Sequence, residues 1–153
     1  MSKEVQNKVT YMIYCVSAFA GHFGLNFKQA YSYLKRFKGI KFLDECYEAE
    51  HQLSISDAVS DLSVICHRNG GALVCIIEEN MNKETKFLID NLTKNLVLLV
   101  MEEFKYSITE SMDVVYNSQL YEKIMDLETG LYYQSAGYNY ELLRNELLTG
   151  KVA

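Results

Sequence analysis

The sequence predicts a mainly α-helical protein made of two small modules in tandem, residues 1–80 and 81–153, each of about four helices. Three observations carry this expectation. The 153 residues include no proline and only eight glycines, so long loops and many-stranded sheets lack their usual punctuation, whereas helices joined by short turns lose nothing. Apolar residues recur at helical spacing through most of the chain. Finally, the local signals of one half return in the other after a shift of 81 positions, the mark that an internal duplication leaves when identity has faded.

The elements follow in order. Val16, Phe19, Ala20 and Phe23 share one face of a first helix, and Gly24 can close it in the left-handed conformation. Asn26 with Gln29 supplies an N-cap and its third-position partner for the next helix. Ile40 and Leu43 mark a third helix, and Ser54 caps a fourth from about Ile55 to Arg68, ended by Asn69-Gly70-Gly71. In the second half Val97, Val100, Met101 and Phe104 match the first helix, and Ser107 with Glu110 makes the capping box in full. Tyr121 and Ile124 then match Ile40 and Leu43, and Ser135 precedes a helix from about Tyr138 to Leu148 that Thr149-Gly150 terminates. Two stretches resist a helical reading. Ala72 to Ile77 reads as a strand or a buried connector, and Thr129 to Tyr133 as a turn into an extended, aromatic-rich segment; together they are the candidates for one short hairpin or strand pair.

Composition narrows the function classes. Hydrophobic residues at 49% and charged residues at 23% describe a folded protein. The 15 basic and 20 acidic residues give a net charge of −5, the wrong sign for neutralising phosphates, so nucleic acid is not an expected partner. Charge divides unevenly, with 8 basic and 9 acidic residues before position 81 and 7 and 11 from there on, or −1 and −4. The one basic cluster, Lys35, Arg36, Lys38 and Lys41, reads as a solvated helix end. Near the N-terminus, Lys3 and Lys8 precede the apolar stretch Tyr11 to Ala20, in which Ala18-Phe19-Ala20 resembles a signal-peptidase site. Two tyrosines and a serine in the stretch, Glu4 before it and a comparable segment in the second half argue against a secretory signal. It is also shorter than the roughly 20 apolar residues of a membrane span. The expected location is the cytoplasm, with no membrane partner. Cys15, Cys46, Cys66 and Cys75 accordingly read as free thiols in a reducing compartment.

No catalytic constellation is expected. Cys46, His51, Cys66 and His67 are the ligand types zinc prefers, but they lack a C-x-x-C pair, and adjacent Cys66 and His67 point to different faces of a helix. No metal and no cofactor is therefore expected. Cys15, in mid-helix among apolar neighbours, lacks the cation or helix N-terminus that activates a thiol. The carboxylate pairs Glu45/Glu48, Asp57/Asp61 and Glu102/Glu103 fit the solvated faces of amphipathic helices, and Thr149-Gly150-Lys151 lacks the upstream glycine of a phosphate loop. The chain reads as a non-enzyme. What remains is the aromatic set Tyr132, Tyr133, Tyr138 and Tyr140, bracketed by Gly130 and Gly137 and flanked by Glu128 and Glu141. Tyrosine buries large area at low entropic cost at interfaces, so these six residues, the four tyrosines and two glutamates, are the candidate partner-binding surface.

The segment from about residue 9 to 71 carries Ile13-Tyr14-Cys15, Gly24-Leu25, Tyr47-Glu48 ahead of His51, and Asp57-Ala58-Val59 with Asp61-Leu62. In these elements it resembles the short bacterial proteins grouped as domain of unknown function 3791. The second half, with Ser107-Ile108-Thr109-Glu110 and Thr129 to Ser135, is similar to another small bacterial family often encoded beside the first. The resemblance implies a gene neighbourhood that includes a toxin similar to ADP-ribosyltransferases, and hence an antitoxin or accessory role; here both modules share one polypeptide. The expected function is protein–protein interaction, an antitoxin-like pair of modules that binds and neutralises a partner toxin, its acidic second half meeting a basic surface. The alternative is a structural or adaptor protein that self-associates through the aromatic segment.

Overall fold

A computed structural model describes residues 2–73 and 81–151. The chain divides into two compact units, Ser2–Asn80 and Met81–Ala153. The described residues are mainly helical and contain no strand.

The first unit is built around α1 (Lys3–Phe23), which Ser2 caps by accepting from the Val5 amide. Val9, Met12, Ile13, Val16, Phe19, Ala20 and Phe23 recur at three- and four-residue steps and are all buried. Gly24 ends the helix at φ 65°, a left-handed geometry that costs glycine little. The capping box predicted at Asn26 and Gln29 forms, with reciprocal bonds of 2.7 and 3.0 Å, and starts α2 (Phe27–Arg36). Next come α3 (Gly39–Glu45), the single turn α4 (Tyr47–Glu50), and α5 (Ile55–Arg68), whose N-terminus Ser54 caps. Helix α1 packs against α2 and α5, and α3 fills in against both.

The second unit opens with α6 (Lys83–Phe104), capped by Asn82 and ended by Lys105 at φ 57°. The Ser107–Glu110 capping box forms and starts α7 (Ile108–Tyr116). Helix α8 (Gln119–Met125) is capped twice: Ser118 accepts from the Tyr121 amide, and the Glu146 carboxylate accepts from Gln119 and Leu120 at 2.7 and 3.0 Å. Two 3-10 turns, Leu127–Thr129 and Leu131–Tyr133, lead to α9 (Ala136–Thr149), capped by Ser135 and ended by Gly150. Both α7 and α9 pack on α6, and Ile89, Leu96, Val97, Val100, Met112, Val115 and Leu143 are fully or nearly fully buried at their centre.

Three expectations need correction. Four helices per half omits α4, whose single turn leaves no periodicity to read. Met101 and Phe104, expected at core positions, are only half-buried. Thr129 to Tyr133 is not extended. Asp126 caps the first 3-10 turn through the Glu128 amide, the Thr129 hydroxyl donates to the carbonyls of Lys123 and Asp126, and Gly130 at φ 70° redirects the chain into the second. Side-chain hydrogen bonds thus outcompete strand formation here. Of the other expected strand, Ala72 and Leu73 have no regular structure, and residues 74–77 lie outside the described residues.

Candidate functional site

The aromatic segment is held by a buried amide. Asn139, fully enclosed on the first turns of α9, donates through Nδ2 to the Leu131 and Ser135 carbonyls at 3.0 and 3.2 Å. This fixes the 3-10 turn of Leu131–Tyr133 against the helix that follows it. Next to it, Gly130 is buried at positive φ, and a Cβ added there would lie 2.6 Å from the Tyr133 hydroxyl. Tyr133 thus folds back over Gly130 and meets Tyr132 edge-on, with ring centroids 4.9 Å apart at 80°. A segment with no periodic pattern is nevertheless a defined platform.

The six predicted residues do not share one fate. Tyr133 and Tyr138 are 62% and 54% exposed, large fractions for rings of this size, and Glu128 and Glu141 are also exposed. Tyr132 is half-buried. Tyr140 is 8% exposed and turns inward, where its hydroxyl donates to the Glu103 carboxylate of α6. It anchors α9 to α6. Burial, then the Glu103 hydrogen bond and charge, hold the Tyr140 phenol well above the ordinary tyrosine range.

Beside the tyrosines lies an open cleft of about 160 Å³, walled on one side by residues 132–136 and on the other by Leu88, Asn91, Leu92 and Asn95 of α6. Sequence reasoning missed the α6 wall. The signal was there: the four occupy positions i, i+3, i+4 and i+7 of one helix, a single stripe, of which Leu88 is 40% exposed and its neighbour Phe87 59%. The lining mixes aromatic faces, aliphatic carbon, three carboxamides and the Ser135 hydroxyl, and holds no charged side chain. Such a surface can bury an apolar or aromatic anchor and satisfy a few polar groups.

The remaining candidates belong to the first unit. Cys15 is fully buried and burial pushes its thiol up to about 12, offset in part by a hydrogen bond with Tyr11. Burial pushes Cys66 up to about 11. Burial thus favours the protonated thiol in both at neutral pH. His51 donates from Nδ1 to the Tyr47 carbonyl at 2.6 Å and stacks on the Tyr47 ring, while His67 is exposed next to buried Cys66. Cys46 is half-buried at the junction of α3 and α4, and Cys75 lies outside the described residues. Among the described residues no three His, Cys, Asp or Glu side chains come together as metal ligands would, and no helix is long and apolar enough to cross a membrane. In the basic cluster, Lys35, Arg36, Lys38 and Lys41 are exposed, Arg36 lies over the Phe37 ring and Lys41 approaches Glu45 at 3.9 Å.

Fold and surface together define a small helical protein with an aromatic, uncharged cleft in its second unit. Residues 10–69 match the family described as protein of unknown function (DUF3791), which bears out the resemblance for the first part of the chain. No curated protein and no solved structure matches the sequence.

Proposed function

We propose that this chain is a non-enzymatic, cytoplasmic interaction protein, antitoxin-like, that binds and masks a toxin-like partner through the cleft and tyrosine face of its second unit. The exposure of Tyr133, which lines a structured, uncharged cleft, and of Tyr138 on the first turn of α9 carries the reading. A soluble monomer gains nothing from keeping two such rings in water, whereas tyrosine at the centre of an interface is a frequent hot spot. Support for the antitoxin role comes from the resemblance to families encoded beside toxins similar to ADP-ribosyltransferases. The excess of acidic groups in the second half, −4, suits a basic partner surface. The two units are proposed as related modules, because α2 and α7, and likewise α5 and α9, begin 81 residues apart behind equivalent caps. Nucleic acid, membrane and cofactor have no part in this function.

Co-expression with the product of the neighbouring gene tests the proposal. Relief of that product's toxicity, with both proteins recovered in one complex, is expected; undiminished toxicity with no complex would refute it. Self-association is the second reading, favoured by one observation: among the described residues, eight of the ten exposed large hydrophobic side chains belong to the second unit. A concentration-dependent dimer that Tyr133→Ala abolishes would establish it.

A further inference from the structure

The α6 wall of the cleft consists of two rails side by side. Leu88 and Leu92, one turn apart, form an apolar rail, and Asn91 and Asn95, also one turn apart, form a polar one. Across from them stand Tyr132, Tyr133 and a third carboxamide, Gln134. Asn91 and Gln134 are exposed and Asn95 is half-buried. The side chains of these three have no hydrogen-bond partner among the described residues. Asn26, Asn82 and Asn139, by contrast, all bond backbone groups.

A carboxamide both donates and accepts, which is what a peptide group requires of a partner. Residues four apart on a helix are separated by about 6 Å along its axis. Alternate residues of an extended chain are separated by about 6.6 Å and direct their N–H and C=O groups to the same side. Asn91 and Asn95 therefore match alternate peptide groups of a strand laid along α6. The cleft beside them has a volume of about 160 Å³, and a cavity of about 150 Å³ accommodates a benzene ring. Its charge is equally selective: no charged side chain lines it, although the second half carries 7 basic and 11 acidic residues. A charged occupant would lose its water there without gaining a partner. A docked helix would present several anchors along its face, and the cleft has room for one.

We propose, building on the reading of this face as an interaction surface, that the cleft takes an extended, uncharged peptide segment of the partner. Asn91 and Asn95 bond its backbone, and the side chain between the two bonded residues, aromatic or large aliphatic, seats against Leu88, Leu92 and the tyrosine rings. The test is an NMR titration of the full chain with a blocked pentapeptide of four alanines around a central phenylalanine, taken to about 10 mM. The side-chain amide resonances of Asn91 and Asn95 should move together. The same peptide N-methylated at the phenylalanine's two neighbours has lost both donors and should bind roughly tenfold more weakly. Asn91→Ala combined with Asn95→Ala, which removes no buried side chain, should weaken the unmethylated peptide by a similar factor. Equal binding of the two peptides or unmoved resonances would overturn the proposal. So would movement on concentrating the chain alone, which would assign the cleft to a second copy. The complex with the product of the neighbouring gene separates this failure from failure of the interaction surface itself. If Tyr133→Ala weakens that complex while the double asparagine variant leaves it intact, the surface stands and recognition of the backbone is refuted.

Discussion

The Arg144 guanidinium of α9 donates from Nε to the Glu103 carboxylate of α6 across 2.7 Å, and the Tyr140 hydroxyl takes the other oxygen of the same carboxylate. One acid near the end of the longest helix in its unit thus holds two residues one turn apart on α9, and keeps in place the helix that carries Tyr138 and Asn139. The Arg144 hydrogen bond first, then that of Tyr140, hold the Glu103 carboxyl below the ordinary glutamate range. Its stabilising effect is therefore present above the ordinary glutamate pKa and disappears as pH falls through the depressed value. Glu103→Gln should lower the melting temperature at neutral pH and match wild type in strong acid; equal loss at both would show the charge to be irrelevant.

Asn139 should be the most sensitive position behind the tyrosines. Truncation to alanine leaves the Leu131 and Ser135 carbonyls without their side-chain donor, a loss of about 2 kcal/mol for groups of this kind. Urea unfolding measures it. Unchanged stability would mean that the Leu131–Tyr133 turn is held by something else.

Gly130→Ala probes the same platform from the other side. An alanine at φ 70° incurs roughly 1–2 kcal/mol of left-handed strain, and its methyl must displace the Tyr133 hydroxyl. Partner affinity should fall together with the shift of the Tyr133 ring resonances in NMR spectra. A variant with displaced resonances and full affinity would take Tyr133 out of the interface.

Alkylation should separate the cysteines by burial. With thiols pushed up to about 12 and 11, Cys15 and Cys66 should resist iodoacetamide in the native protein and react once it is unfolded, as peptide mass spectrometry would show. Rapid native modification of either would contradict the burial described for them.

What the sequence could disclose followed from how local the cause was. The caps at Asn26, Ser54, Ser107 and Ser135 are each a hydrogen bond between residues three apart, so their signature is contained within four letters. Gly24, Gly70 and Gly150 were likewise legible as left-handed turns. Lys105 was not, because it adopts that conformation despite carrying a side chain. The tyrosine segment was found by composition, but its division into exposed Tyr133 and Tyr138 and inward Tyr140 depends on Glu103, 37 residues earlier. The other wall of the cleft, Leu88 to Asn95, required knowing that α6 passes beside residues 132–136, which is tertiary information.

Tyr133→Ala, measured for both partner affinity and melting temperature, separates an interface ring from a structural one. Tyr133 is 62% exposed and its ring contributes little to the core, so the melting temperature should be almost unchanged. Binding to the co-expressed neighbour should weaken by about 2 kcal/mol, roughly 30-fold in Kd. A variant that melts earlier yet binds with wild-type Kd would contradict it.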